Sequence, residues 1–374
     1  IDNVFPGGNS PFQPTVSVND VDVDNPGVNI TTAVEPAITF TSVSQHMIPP
    51  TRVNWNLAIQ QQLPGHSTAT IAYVGAVGRH NWLAHDINQV PAGTLTNPAN
   101  HGVPLAALRP YKGFNFIDVE YSGANELFHS LQVSYQKHFG AISEVGVSYT
   151  WSKDMDSGSN YHTIVPNTYN TSNLWGPSEY DKRNVLTLNW VYAVPLFQGQ
   201  TNLAGKLLGG WVITGSGQLQ NGSPCSVGAG SNDYAGVGES GNFNCQTGVG
   251  QFWVQNGKIS YPHKFAGTTG AKWFNTTNGS TAIWTAPPAG TFNLQKHIRD
   301  NVYSPGINQW NLALIKTFRI YKSNEVQFRA EAYDVLNHAD WNGANYNPTS
   351  STFGEVTGKG DQSRNLQLGL RYQF

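Results

Sequence analysis

Three aspartates stand at every second position near the start of the chain. Asp20, Asp22 and Asp24 lie in the segment DVDVDNPG, which ends at Gly27. Carboxylates at this spacing can converge on Ca²⁺, a hard cation that prefers oxygen ligands. A calcium loop of the EF-hand type has its glycine at position six, whereas here it stands at position eight. Because aspartate also favours ordinary loops, calcium binding and a plain loop both remain open for this segment.

The only two cysteines of the chain, Cys225 and Cys245, lie close together in a region rich in glycine and serine. In an oxidising compartment they would pair and close a loop that adds about 3 kcal/mol of stability. In a reducing compartment they would be two idle thiols. We favour the disulfide.

Other motifs that carry chemistry are missing from the sequence. It contains no Gly-x-Ser-x-Gly, no His-Glu-x-x-His and no phosphate-cradling loop. His80 and His85 stand near Asp86, but continuation of the preceding strand would put the two histidines on opposite faces. We therefore predict no enzyme activity and no cofactor other than the calcium considered above.

Two features between residues 228 and 284 bear on structure or function. The glycine-rich run 228–241 is typical of a flexible loop. Trp253, Tyr261, Trp273 and Trp284 would either form a ligand-binding platform or pack their own loop.

The composition excludes several classes of protein. Charged residues make up 12% of the 374 residues, about half the usual share, and the net charge is −2. A nucleic-acid partner is not indicated, because the chain has no basic excess. The 39 glycines and 21 prolines indicate many turns.

The strongest signal is an alternation of apolar and polar residues with a period of two. Side chains of a strand point alternately to its two faces, so each such segment has an apolar and a polar face. The polar faces consist mostly of Asn, Gln, Ser and Thr. The nine segments are Arg52–Leu63, Ser67–Val77, Glu126–Phe139, Ser143–Lys153, Lys182–Val194, Gly210–Asn221, Asn308–Arg319, Asn324–Asn337 and Arg364–Phe374.

These segments are longer than the strands of soluble proteins, which average five or six residues. A strand that crosses a bilayer needs about 9–11 residues, and aromatic residues flank its apolar band. Backbone groups in lipid must be paired within the protein, so such strands belong to a closed barrel. We predict an all-β fold, an antiparallel transmembrane β-barrel; the alternative is a soluble β-sandwich.

Short and long connections alternate along the nine segments. The long ones, 78–125, 154–181, 222–307 and 338–363, are predicted extracellular loops, and the short ones are predicted periplasmic turns. Residues 1–51 would then form an extracellular segment and residues 52–374 the barrel with its loops. The strand-like stretch 114–122 would be a hairpin or an extension within the first loop. Bacterial barrels usually have an even number of strands, so either 1–51 hides a strand or the nine belong to a larger barrel.

Twelve blocks of the chain resemble, in register, a known family. Together they resemble the C-terminal β-barrel portion of TonB-dependent outer-membrane receptors, most closely the Oar-like branch with its carboxypeptidase-regulatory-like domain. The blocks are VNWNL (53–57), QLPG (62–65), AYVG (72–75), DINQ (86–89), SLQV (130–133), YTWSK (149–153), DKRNVL (181–186), GW (210–211), QWNL (309–312), QFRAE (327–331), FG (353–354) and QLGLRYQF (367–374).

The resemblance implies a location in the bacterial outer membrane, in contact with its lipid, and import of a bulky nutrient such as a glycan, a peptide or a metal chelate. It also implies a barrel of about 22 strands, of which this chain would supply the C-terminal section, with further strands or other chains completing it. TonB would act only through a plug domain that these 374 residues do not contain. The residues expected to line the route include Asn54, Gln132, Gln218, Arg329 and Arg371. The alternative function is a structural or adhesive surface protein that acts through its large loops.

The final strand carries a further part of the resemblance. Leu370, Tyr372 and Phe374 share one face and end the chain, like the C-terminal signal that the barrel-assembly machinery reads. The plain interpretation is an ordinary hydrophobic edge strand.

Overall fold

The computed structural model describes most of the chain beyond residue 37. The described residues are 38–111, 114–140, 142–160, 163–197, 199–229, 232–238, 251–261, 270–321, 324–356, 358–360 and 363–374. Strands dominate, and the helical elements are a 3-10 turn at Pro98–Asn100, α1 at Leu105–Leu108 and α2 at Leu203–Leu208. Within the described residues, none of these helices has the length and hydropathy needed to span a membrane.

The strands fall into long and very short ones. In chain order they are β1 (Ile38–Val43), β2 (Thr51–Leu63), β3 (Ser67–Asp86), β4 (Phe114–Phe139), β5 (Ser143–Asp156), β6 (Gly176–Pro177), β7 (Asn184–Ala193), β8 (Trp211–Gln220), β9 (Pro224–Cys225), β10 (Gly228–Ala229), β11 (Gln251–Phe252), β12 (Val254–Gln255), β13 (Thr277–Asn278), β14 (Thr281–Ala282), β15 (Trp284–Thr285), β16 (Val302–Tyr303), β17 (Ile307–Tyr321), β18 (Asn324–Tyr333) and β19 (Asn365–Gln373).

Nine long strands form one antiparallel meander, which we call the wall. Its order is β19-β18-β17-β8-β7-β5-β4-β3-β2, so each strand pairs with its neighbour in sequence among the nine. The prediction of nine alternating strands is confirmed. Among the described residues β2 pairs only with β3, and β19 only with β18, so the wall is an open sheet.

Two wall strands run well past their predicted ends. β3 continues to Asp86 and β4 begins at Phe114, and the two stay paired as far as Asp86 opposite Asp118. The register shifts between Gly78 and Leu83, which interrupts the period of two at this place. Stretch 114–122 is thus an extension of β4. β1 pairs with this extension in parallel, the one parallel pairing of the described main sheet.

The pairing register extends the apolar faces of the strands into one continuous surface. One row runs Ile59, Ile71, Val133, Tyr149, Leu186 and Leu219 across six neighbouring strands. Side chains on this face are open to the surroundings; Leu57 is 68% exposed and Leu368 72%. The wall therefore presents its apolar side outward.

The main hydrophobic core lies in the long connections rather than between the strands. All four predicted outer loops contribute to one buried cluster, and we call their described residues the cap. The cluster contains Leu83, Ala124, Val165, Leu174, Cys225, Val227, Phe252, Phe274, Ile283, Trp284, Ile298, Val302, Ala344, Tyr346 and Phe353. A second cluster joins Val90 to Ala235 and Val237, each 0% exposed. The described part of the run 228–241 is therefore packed, and the interpretation as a flexible loop is wrong there.

Candidate functional site

The polar face of the wall is lined by neutral hydrogen-bonding side chains. One row crosses seven strands as Gln60, Thr70, Ser134, Ser148, Thr187, Gln218 and Gln309, each paired with the next. A second row crosses the same strands as Gln62, Thr68, Gln136, Gly146, Asn189, Ser216 and Asn311. Amides and hydroxyls both donate and accept hydrogen bonds, so this face suits a hydrated solute without selecting its charge.

The five residues predicted to line the route all lie on this polar face. Gln132 is opposite Thr150, and Gln218 is opposite Thr187. Arg329 and Arg371 belong to β18 and β19, where they alternate with the apolar-face residues Phe328 and Leu370. Asn54 lies near the loop end of β2.

Near the cap the polar face becomes charged and borders a cavity of about 400 Å³. Glu126 is paired opposite Asp156, and Asp154 lies on the same face two residues earlier. Arg52 Nη1 is 3.1 Å from Glu126 Oε1, which balances one of the three carboxylates. Asp154 Oδ1 is buried without a hydrogen-bond partner among the described residues. The cavity can therefore hydrogen-bond a polar group, and its net charge is negative.

Arg299 joins the third outer loop to the wall beside this cavity. Its guanidinium donates to the carbonyl oxygens of Leu174 and Asp156, at 2.6 and 2.7 Å, and forms ion pairs with the Asp156 and Asp300 carboxylates. Asp300 accepts a further bond from the Ser226 hydroxyl at 2.7 Å. Burial raises the pKa of the Asp300 carboxyl to about 6, against the opposing effect of Arg299.

A second buried ion pair holds the first outer loop. Arg109 Nη1 is 2.9 Å from Asp86 Oδ2, and both side chains are 1% exposed. Asp86 Oδ1 accepts from the backbone N–H groups of Asn88 and Ile117. Asp86 therefore anchors the first outer loop. This role accounts for the buried position of Asp86 without a metal ion.

Asp181 is the centre of a third network, on the other side of the wall. Its buried carboxylate accepts from Lys153 Nζ at 2.8 Å, from the Asp154 N–H at 2.7 Å and from the Tyr303 hydroxyl. Burial, and next the hydrogen bond to Asp181, raise the pKa of the Tyr303 phenol. This network ties the second and third outer loops to the end of β5.

The remaining predicted sites divide into described and undescribed ones. Asp20, Asp22, Asp24 and Cys245 lie outside the described residues, so the calcium site and the disulfide stay predictions. Cys225 is fully buried in β9, opposite Val302. In the described ranges no three or more His, Cys, Asp or Glu side chains are grouped to hold a metal ion.

The histidines and loop aromatics take structural positions. His85 stacks on Tyr121 at 4.4 Å, and burial lowers its pKa. Trp284 is 4% exposed, and Trp253 and Trp273 pack against the cap core. The Tyr261 hydroxyl oxygen accepts a hydrogen bond from the Tyr303 N–H at 2.7 Å. These contacts support packing of the loop, rather than a ligand-binding platform, as the role of the loop aromatics.

Leu370, Tyr372 and Phe374 lie on the apolar face at the turn end of the wall. Leu370 is opposite Phe328 and Tyr372 is opposite Val326. The rings of Tyr372 and Phe374 are 6.2 Å apart, and Phe374 is 90% exposed.

A match to a protein-family model identifies the family of this chain. The model described as "Outer membrane beta barrel domain" matches residues 2–367. The chain belongs to this family. It is a component of the bacterial outer membrane, and we expect the apolar face of the wall to contact lipid, with the four long connections as the cap above it. No curated protein matches the chain.

Three solved structures are similar to this chain over most of its length. The outer membrane transporter YddB from Escherichia coli matches with 11% identity and a TM-score of 0.45, over 90% of this chain and 34% of that one. The FrpB iron transporter from Neisseria meningitidis matches with 9% identity and a TM-score of 0.36, over 89% and 32%. The ferric-catecholate import receptor Fiu from E. coli K12 matches with 9% identity and a TM-score of 0.27, over 86% and 40%. The chain spans about a third of the length of the first two.

The sequence patterns do not identify Arg109 and Arg299 as residues that hold the loops. Each works through a partner that is distant along the chain, 23 positions for Arg109 with Asp86 and 143 for Arg299 with Asp156. Neither arginine stands in a motif, so no local signal identifies it.

Proposed function

We propose that this outer-membrane barrel domain forms part of the wall of a TonB-dependent receptor that imports a bulky polar nutrient, such as a glycan, a peptide or a metal chelate. The observation that carries the proposal is the uninterrupted row from Gln60 to Gln309, seven strands wide and without a charge. A structural wall protein needs no such surface on its inner side. A route for a hydrated solute does, because the solute exchanges its water hydrogen bonds for those of amides and hydroxyls.

The open edges of the wall support a larger barrel. β2 and β19 each have one side without a strand partner among the described residues, and backbone N–H and C=O groups cannot remain unpaired in lipid. We propose that further strands pair with both edges, and that a plug domain inside the completed barrel contacts TonB. We also propose that the barrel-assembly machinery binds β19 through Leu370, Tyr372 and Phe374.

The cavity bordered by Glu126, Asp154 and Asp156 lies where a solute would pass from the cap to the polar face. We propose that it makes the first contact with the nutrient below the cell surface. Its hydroxyl-bearing lining, with Ser159, Ser178 and Tyr180, offers hydrogen bonds of the kind that sugars and peptides use.

The test is uptake by cells that carry the full-length protein. Fluorescently labelled maltoheptaose, a labelled pentapeptide and a ferric catecholate serve as the three probes, each offered to the wild-type strain and to a deletion strain. We expect one probe to accumulate only in the wild type, and a protonophore to abolish the difference because energised uptake stops. Equal accumulation of all three in both strains would contradict import of these classes.

The second candidate is a structural or adhesive surface protein, and the compact core of the cap favours it. All four outer loops share one core, as in a folded surface domain. Retention of labelled cells or matrix by the surface, without uptake of any probe, would select this function.

A further inference from the structure

The connection between β7 and β8 is longer than a tight turn and exposes apolar side chains. We call its described residues, 195–197 and 199–210, the foot. The foot contains α2 and lies at the end of the wall opposite the cap. An exposed apolar patch of this kind marks a surface that meets lipid or another protein. Its five large apolar side chains, each more than half exposed, are Leu196, Phe197, Leu203, Leu207 and Leu208.

Hydrogen bonds fix the foot against the wall. The Asn202 side chain caps α2 by accepting from the Gly205 N–H at 2.7 Å. The buried Gln200 side chain donates to the Thr317 carbonyl oxygen at 2.8 Å and accepts from the Arg319 N–H at 3.1 Å. Gln200 thereby pairs with the end of β17, which continues past the start of β8. The exposed leucines are therefore carried by a held element of the fold.

Two side chains from the apolar face of the wall reach the foot. Trp211 and Lys316 are opposite each other in β8 and β17, and Trp211 shares the apolar face with Leu219. Trp211 Nε1 donates to the Leu207 carbonyl oxygen at 3.1 Å, and Lys316 Nζ donates to the Gly209 carbonyl oxygen. Both carbonyls belong to the C-terminal end of α2. The foot therefore lies on the apolar side of the wall and not on its polar side.

The burial of Lys316 agrees with this position. Its side chain is 1% exposed, although it stands on the face that we expect to contact lipid. The ammonium lies 5.4 Å from the centre of the Trp211 ring and 4.7 Å from that of Phe318. A charged side chain in hydrocarbon is costly, so two rings and a carbonyl of the foot take the place of lipid around this ammonium. The foot thus covers a cation that the apolar face could not carry uncovered.

The exposed side chains of α2 lie on one side of the helix. Gly205 is buried against the protein, and Lys206 stands on the opposite flank of the apolar side. A short helix with this distribution can lie in the plane of a membrane interface with its apolar side in the lipid. At about 100° per residue, one arc of about 140° holds Leu203, Ala204, Leu207 and Leu208.

We infer that the foot inserts its apolar side chains into the inner leaflet of the outer membrane, where phospholipid covers them. Its patch is continuous with the apolar face of the wall through Trp211, and an indole with its N–H bonded is typical of a membrane interface. A protein seated on the foot would also have to displace lipid from Trp211. The connection is then an element of the membrane, whereas a short turn would lie in the periplasm.

The experiment is photo-crosslinking in cells that carry the full-length protein. One variant is Leu207→p-benzoylphenylalanine, and the matched control is His66→p-benzoylphenylalanine, exposed in the turn between β2 and β3. Irradiation joins the benzophenone to C–H bonds that lie against it, and the intact mass of the purified protein identifies the adduct. We expect the Leu207 variant to gain the mass of one phospholipid and the His66 variant to keep its own mass.

Leu203→p-benzoylphenylalanine is a second position on the same side of α2, with the same expected adduct. Its side chain is 76% exposed, so the larger residue meets no packing there. Heat-modifiable migration in gels shows that each variant is folded.

A phospholipid adduct on the foot and none at position 66 supports the inference. A crosslink from the foot to another protein would show a periplasmic partner in place of lipid. A glycolipid of the outer leaflet in the adduct would place the foot at the other surface. Either result, equal phospholipid adducts at the foot and the control turn, or no adduct on the foot of the folded variants, overturns the inference.

Discussion

Nη2 of Arg299 lies 2.7 Å from the backbone carbonyl oxygen of Asp156, although the two residues are 143 positions apart. This hydrogen bond joins the third outer loop to the last residue of β5. The carbonyl belongs to a strand of the wall and the guanidinium to the cap, so the wall holds the cap at a fixed place above the polar face.

Replacement of Arg299 tests how strongly this contact fixes the cap. Arg299→Met removes a side chain that is 4% exposed and leaves the carboxylates of Asp156 and Asp300 buried without their cation. Loss of one partner of a buried pair costs about 3–5 kcal/mol, so we expect the cap to open while the wall stays folded. Limited proteolysis of intact cells reports the cap, and heat-modifiable migration in gels reports the barrel.

Arg52→Gln is the control for this change. Its pair with Glu126 is 55% exposed on the arginine side, and such pairs contribute about 1 kcal/mol or less. Equal protease sensitivity of the two variants would show that Arg299 does not hold the cap.

The raised pKa of the Asp300 carboxyl predicts that the stability of the cap depends on pH. Burial raises its pKa from the ordinary 3.8 to about 6, so between these values the folded cap binds a proton that the unfolded chain has released. The contribution of this group to the free energy of unfolding is therefore full below pH 4, falls as the pH rises to 6, and is constant above. At about 1.4 kcal/mol per pKa unit, the change is up to about 3 kcal/mol.

The measurement compares the wild type with Asp300→Asn in proteolysis of the cap from pH 4 to pH 7.5. Asparagine cannot titrate, so the difference in stability between the two proteins should decline from pH 4 to pH 6 and then level off. A difference that grows with pH in this window would show that Arg299 lowers the pKa of Asp300 instead.

Two glycines of the wall, Gly215 on the lipid-facing side and Gly369 on the polar face, predict different steric effects. A Cβ at Gly215 would lie 2.3 Å from the Trp190 ring and 2.6 Å from the Asn311 carbonyl oxygen, so both the ring and the neighbouring strand would have to move. At Gly369 the nearest atom, Arg329 Cβ, is 3.9 Å away. We expect Gly215→Ala to lower the free energy of unfolding by about 1–3 kcal/mol and Gly369→Ala to leave it nearly unchanged. Denaturant titration in lipid vesicles measures both, and equal effects would contradict the close approach of Trp190 to Gly215.

The strands of the wall could be predicted from sequence because the alternation of apolar and polar residues is a local pattern. Alternation along Ser67–Val77 assigns Ile71 to one face and Thr70 to the other, and the pairing then follows from short turns such as 64–66. The ends of the strands were less predictable. β3 continues through a shift in register near His80, whose positive φ of 61° breaks the period of two.

The cap could not be predicted, because its contacts join distant segments. Val237 stands in a glycine-rich run that is typical of a flexible loop, yet it is packed with Val90. The ion pairs of Arg109 and Arg299 bring together loops whose order in space the sequence does not give.

The disulfide remains a prediction that chemistry can test. Cys225 is fully buried, and a bond to Cys245 would close a loop of about 20 residues and stabilise the cap by about 3 kcal/mol. Under denaturing conditions without reductant, we expect iodoacetamide to leave the intact mass unchanged, and with reductant to add two carbamidomethyl groups. Cys245→Ser should take up one group without reductant. Addition of two groups to the wild type without reductant would show free thiols.

The assignment of one face of the wall to lipid and the other to the polar interior predicts that an introduced arginine destabilises the barrel at Ile71 and not at the neighbouring Thr70. Ile71 is 55% exposed on the lipid-facing side, in the apolar row from Ile59 to Leu219, whereas Thr70 lies in the neutral polar row. An arginine on the lipid face near the middle of the bilayer costs about 2–4 kcal/mol, because the charge leaves water for hydrocarbon. We expect that loss in the free energy of unfolding for Ile71→Arg, measured by denaturant titration in vesicles, and little change for Thr70→Arg, whose charge remains hydrated. The reverse order would place the polar row against lipid and remove the basis for a solute route along it.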